Sequence, residues 1–151
     1  MTLQPFYTEV ADQVRAAGVF DSVDQGPPVS CKAKGAAAPA WYRLQPEGGT
    51  LWLVWATPDR WLSHSIEADL LNTGDKLEEL LEEEFTEFDL PWGRLRSEHF
   101  RSEEREFIFR FPLPLPAEEL AGAGRSLDAA RSLLALEACF RPLGDMEQDP
   151  E

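Results

Sequence analysis

Apolar residues recur along this chain with two different periods, and the switches between them mark its elements. Phe6, Val10, Val14 and Ala17 lie on one helical stripe, opened by Pro5 and closed by Gly18. Val29, Cys31 and Ala33 then alternate with Ser30, Lys32 and Lys34, which predicts a short edge strand with its lysines facing outward. The run "AWYRLQPEGGTLWLVWATP" predicts two strands, Trp41 to Gln45 and Thr50 to Ala56, turning at Gly48-Gly49. The second strand is apolar on both sides. Leu51, Leu53 and Trp55 point one way; Trp52, Val54 and Ala56 point the other. Such a strand is expected to be interior and covered on both faces.

Thr57, Pro58 and Asp59 supply a helix start: a capping hydroxyl, a fixed φ, then a carboxylate near the positive helix end. Leu62, Ile66 and Leu70 half fill a stripe behind it, so residues 58–72 are expected to be helical. The same stretch also alternates as Leu62, His64 and Ile66, which fits a strand. A second helical piece follows. Asp75 and Glu78 resemble a capping box, and Leu77, Leu80, Leu81, Phe85 and Phe88 share one face. "DLPWG" is a turn, and "RLRSEHFRSEEREFIFRFPLPLP" reads as another hairpin. In its second strand Phe107, Phe109 and Phe111 share a side, and Ile108 and Arg110 share the other. The prolines of "PLPLP" end the sheet, because they lack ladder donors. The last helix is capped by Ser126 and carries Leu127, Ala130, Leu134 and Ala138 in one row, widened by Leu133, Leu136 and Phe140.

The expected fold class is therefore α+β: an antiparallel five-stranded sheet with flanking helices, in the order α-β-β-β-α-β-β-α. One domain spans residues 1–145, and 146–151 form an acidic disordered tail. Burial of Trp52, Trp55, Phe107, Phe109 and Phe111 dominates the stability of such a domain. Three amphipathic helices suffice for one sheet face and are too few for both. One aromatic-bearing face is then left to meet a second subunit, a client protein, or the segment "PDRWLSHS" folded back on it.

Composition narrows the function classes. The net charge of −14 over 151 residues repels phosphate backbones and anionic membranes, so neither nucleic acid nor membrane is an expected partner. No apolar run reaches the ~20 residues of a membrane span, and "MTLQPFYTEVADQ" carries no signal-peptide pattern. Cys31 and Cys139 lie far apart without metal-type spacing and are expected as reduced thiols. Together these features point to a cytoplasmic protein.

Candidate chemistry is sparse, and no cofactor, metal or catalytic residue is expected. "SHS" at 63–65 sets hydroxyls beside an imidazole, and a small hydrolase using His64 with Ser63 or Ser65 is the enzyme alternative. Neighbouring residues do not face one another on a helix or a strand, and no nucleophile elbow accompanies them. His99 reads as a half-exposed strand residue. Glu82-Glu83-Glu84 lacks the loop spacing of a calcium site and reads as a solvated helix face. "GGTLWLVW" lacks the spaced glycines and lysine of a phosphate loop. Arg94, Arg96, Arg101, Arg105 and Arg110, set among Glu98, Glu103, Glu104 and Glu106, read as cross-strand ion pairs. They would otherwise be a guanidinium patch for an acidic partner or for the glutamate helix of a second subunit.

The opening helix "FYTEVADQVRAAG", the strands "AWYRL" and "LWLVWA", the helix "DKLEELLEEEF", the hairpin ending in "EFIFRF" and the closing helix "LDAARSLLALEACF" together resemble the YbjN-like family. That family's fold is shared with the class I type III secretion chaperones. The resemblance spans about residues 5 to 143 and rests on element order. It implies a one-domain α+β protein, often dimeric, that binds other polypeptides or regulates, without active-site residues. The segment "PDRWLSHSIEADLLN" departs from it, being long for the link into the middle helix. The resulting expectation is a non-enzymatic protein that binds a protein client or, as a homodimer, itself. Trp41, Trp52 and Trp61, with Arg94 and Arg96, are the candidate contact residues. The other alternative is an acidic immunity or inhibitor protein for a basic toxin or nuclease.

Overall fold

The structure is a computed structural model, which describes residues 3–147. The apolar run at its centre becomes β4 (Thr50–Thr57), paired along its length with β3 (Trp41–Glu47) on one side and β6 (Phe107–Leu113) on the other. Outside β3 lie β2 (Val29–Ala33) and then β1 (Phe20–Asp24); outside β6 lies β5 (Glu98–Arg101). All neighbours are antiparallel, in the order β1-β2-β3-β4-β6-β5. The architecture is α+β, with one strand more than the five expected from the sequence.

The additional strand is β1, and β2 is accordingly not an edge. "FDSVD" offers only Phe20 and Val23 as apolar residues, and a register shift between Phe20 and Ser22 interrupts its alternation. A period-two pattern that is both sparse and broken reads as a loop. Lys32, expected on an outer rim, is half-buried between β1 and β3.

The helices are α1 (Gln4–Ala17), α2 (Arg60–Thr73), α3 (Leu77–Glu87) and α4 (Arg125–Phe140). Residues 60–73 are helical because Leu62 and Ile66, four apart, both enter the core, while His64 between them turns to solvent. α4 lies against β3 and β4, α1 against β1 and β2, and α3 packs on α4. Their apolar residues join Val29, Cys31, Tyr42, Leu44, Leu53, Trp55, Phe109 and Phe111 in one core cluster. Trp55 is fully buried and stacks on Phe140, ring centroids 5.2 Å apart, with Phe109 against both. Burial of one such indole stabilises the fold by roughly 4–6 kcal/mol as an upper bound.

Several local signals are superseded by longer-range partners. Asp59, rather than Thr57, caps α2: its carboxylate accepts the Leu62 N–H at 2.8 Å. Thr57 ends β4 and donates its hydroxyl to the Pro39 carbonyl. Lys76 stands at the N-cap of α3, and Glu78 makes no capping box with Asp75; its carboxylate accepts the Ser97 N–H and hydroxyl. Gly124, not Ser126, precedes α4, and the Ser126 hydroxyl donates to Glu9 of α1. The buried side of α4 is rotated from the expected row. Ala130, Leu133, Leu136 and Phe140 are buried, while Leu127 is exposed. α4 must touch both the sheet and α3, so its buried sector is wide and its edge is poorly defined by periodicity.

Past α4 the core continues through Leu143 and Met146, both buried, so the first position of the expected tail is a core residue. Residues 148–151 of that tail lie outside the described residues. Gly144, at φ 50°, passes against α2: its N–H donates to Asp69, and the Asp145 N–H donates to the Ser65 hydroxyl. Cys31 and Cys139 are buried, unbridged thiols. Burial pushes the Cys31 thiol up to about 12, with Arg15 opposing and Asp24 adding to it. Burial raises Cys139 as well, helped by Glu84 and Glu83. Among the described residues, no helix is long and apolar enough to cross a membrane.

Candidate functional site: the open face of the sheet

The strand registers determine which side chains share the face away from the helices. Ser30, Arg43, Val54, Arg110 and Glu98 form one row of partners across β2, β3, β4, β6 and β5. Lys32, Trp41, Ala56, Ile108 and Phe100 form the next row, and Gln45, Trp52 and Pro112 the row on the other side. Val54, Ala56 and Ile108, with Trp52 beside them, make a second apolar cluster, and no helix residue belongs to it. The sequence leaves open which sheet face lacks the amphipathic helices; it is the one that carries Trp52, Val54 and Ala56.

Side chains of the sheet itself shield that apolar floor. The Arg110 guanidinium lies 3.8 Å from the Trp52 ring centroid and 5.0 Å from that of Phe100. It is held there by Glu47 and Glu98, each at 2.8 Å. Its contact with Trp52 is an electrostatic attraction to the ring face, roughly 0.5–2 kcal/mol. Arg43 stands on the other side of Val54, 5.6 Å from the Trp41 centroid. It meets Glu106 fork to fork, at 2.8 and 2.9 Å. Both members of this pair are only about one-fifth exposed, at 20% and 19%. Two parallel charge-assisted bonds fix orientation as well as distance.

Glu106 reaches Arg43 because of the loop between β5 and β6. The Ser102 N–H donates to the Glu106 carbonyl, the Glu106 N–H to the Ser102 hydroxyl, and Arg105 adopts a left-handed φ of 63°. The tight turn carries the hairpin tip over the face and ties β5–β6 to β3 across the intervening β4. A cavity of about 620 Å³ remains, floored by Val54 and Ile108 and walled by Trp52 and Phe100. Glu47, Glu103 and Glu104 stand around it. Chemically it is an apolar trough with guanidinium arms and an acidic rim, suited to binding an extended chain. Among the described residues, no group of three or more His, Cys, Asp or Glu is arranged to hold a metal ion.

The candidate contact residues do not assemble in one place. Trp41 and Trp52 lie on the open face. Trp61, 73% exposed, is in the first turn of α2. Arg94 pairs with Glu79 and Glu82 of α3 in its own chain, in place of the second-subunit helix considered from the sequence. Arg96 is exposed in the segment before β5. Arg110 and Glu98 do form the expected cross-strand pair. Ser65 donates to the Leu62 carbonyl and accepts from Asp145, away from His64; the exposed His64 shares the lining of a cavity with Ser63, without a hydrogen bond between the two.

Sequence reasoning missed Arg43, Glu106 and Phe100 as members of this face. The alternation of Trp41, Arg43 and Gln45 along β3 is a usable signal for Arg43. Nothing local signals its pairing with Glu106, 63 positions away. Comparison of the chain with protein-family models, with curated proteins and with solved structures finds no match.

Proposed function

We propose that this protein is a non-enzymatic binding module that takes up an extended, apolar segment of another polypeptide on its open sheet face. The observation that carries this reading is the second apolar cluster, Val54, Ala56 and Ile108 with Trp52, left without a helix beneath the hairpin tip. The chaperone-like role implied by the YbjN-like resemblance is the same kind of activity.

Charge selects the partner. The rim carboxylates and the −14 net charge favour a segment whose apolar residues are flanked by lysine or arginine. In an extended segment alternate side chains would reach Val54 and Ile108, while the intervening basic ones meet Glu103 and Glu104. Trp52 and Phe100 supply rigid aromatic area of the kind that anchors such contacts.

The test is selection of a displayed random-peptide library on the native protein, with recovered peptides assayed on Phe100→Glu. Phe100 is 39% exposed, so this change leaves the core intact. Expected are peptides alternating apolar and basic residues, bound at least about tenfold more weakly by the variant, the effect of one lost anchor. Failure to enrich any peptide, or equal binding to Phe100→Glu, would overturn the proposal. So would a native protein whose open face is occupied by a second copy, seen as a dimer by light scattering that Phe100→Glu dissociates.

A further inference from the structure

The two histidines of the chain, 35 positions apart in sequence, line the same cavity. It has a volume of about 330 Å³ and lies between α2 and the end of β5, around the sheet edge from the open face. Its polar lining is Arg60, Ser63, His64 and Glu67 from α2, with His99 and Arg101 from β5. In a chain this acidic, a pocket with two arginines and one carboxylate stands apart.

The groups divide into committed and uncommitted ones. His99 is committed. One ring nitrogen lies 2.5 Å from Glu67 and the other 2.8 Å from the Ile108 carbonyl, and the ring stacks on Phe109 at 3.8 Å. Glu67, the sole carboxylate of the lining, is thereby engaged. Arg60 and Arg101 form no ion pair among the described residues. Arg101 is positioned by the ring of Phe107, 5.6 Å away. Ser63 is 2% exposed, yet its hydroxyl makes no hydrogen bond to another described residue, whereas the neighbouring Ser65 hydroxyl is fully used. The Ser63 hydroxyl opens on the cavity and is free to donate to a ligand there.

We infer that this cavity is an anion site for a phosphate monoester group, held between Arg60 and Arg101 with Ser63 as hydroxyl donor and His64 at its mouth. A dianion matches two forked guanidiniums better than a carboxylate, which occupies one. The volume accommodates a phosphate and a small attached group and is too small for a nucleotide buried whole. Phe100 and Arg101 line both this cavity and the open-face trough, whereas Arg60, Ser63 and His64 of α2 line this one and not the trough.

The experiment follows the two histidine ring signals by NMR during titration with inorganic phosphate at fixed pH and ionic strength, with His64→Gln used for assignment. Expected are saturable shifts that chloride does not reproduce. The midpoint should rise at least about tenfold in Arg60→Gln/Arg101→Gln and less in Ser63→Ala, as loss of charge-assisted bonds implies. Both arginines are exposed, so the double variant should fold, as circular dichroism would verify. Parallel titrations with free phosphoserine and with a phosphoserine tetrapeptide distinguish a small-molecule source from a chain-borne one. Shifts that are linear and equal to those with chloride, or a midpoint unchanged in the double variant, would overturn the inference; an unchanged Ser63→Ala midpoint would overturn the hydroxyl's part in it.

Discussion

The two sides of β4 use the same residue types for opposite ends. On the helix side, Trp55 is sealed against Phe109 and Phe140 and has only apolar neighbours among the aromatic rings. On the open side, Trp52 is half-buried beneath a guanidinium that two glutamates hold in place. An indole under a helix contributes area removed from water. An indole under an arginine is covered by a charged group held by ion pairs, and on the proposed reading that cover is what a bound segment would displace. The contrast teaches that continuous hydrophobicity in a strand signals burial on both sides without saying what does the burying.

The largest expected effect is on the sealed side. Trp55→Ala should cost about 3–5 kcal/mol of folding free energy, measured by urea denaturation, because the helices cannot collapse fully into the space left. Comparable losses from truncating Trp55 and Trp52 would erase the distinction between the faces.

A second effect on the sealed side comes from Cys31. Its thiol ionises near 9 when unfolded and at about 12 when folded. Between those values the unfolded chain loses the proton and the folded one keeps it, so stability falls as pH rises from 9 toward 12. Cys31→Ala should flatten part of that decline in denaturation series across alkaline pH. Thiol-reactive probes should label neither cysteine in the native state at neutral pH, since both are buried.

The open side should respond more weakly. Arg43→Gln breaks the pair that holds the hairpin tip and should cost about 1–2 kcal/mol, below the full value of a buried charged bond because both partners retain some solvent. Hydrogen exchange at the Ser102 and Glu106 amides should accelerate together, since these two amides close the turn. Unchanged exchange would show that the turn holds its place without Arg43.

Much of the fold was legible because most elements carry a single clear period. α1 showed Phe6, Val10 and Val14, and all three are buried. β4 and β6 announced themselves by apolar density, and the turn at Gly48-Gly49 by its glycines. What was lost is non-local. β1 has too few apolar positions to register, since its partner β2 supplies most of the burial. The caps were misread where a distant residue competed for the capping group, as Ser97 did for Glu78 and Glu9 for Ser126. Of the site, the sequence showed Trp41 and Trp52 through strand alternation. Glu106 on Arg43 and the cavity shared by His64 and His99 depend on which elements become neighbours, which no single segment encodes.

The central claim, that one sheet face holds the fold together while the other is free to bind, is tested most directly by the Trp52→Ala/Phe100→Ser double variant. Its urea stability and its uptake of the selected peptides should be measured side by side. The expected result is a stability within about 2 kcal/mol of the native chain, the scale of the lost ring contacts, together with loss of peptide uptake. A destabilisation as large as that of Trp55→Ala, or undiminished peptide uptake, would contradict it.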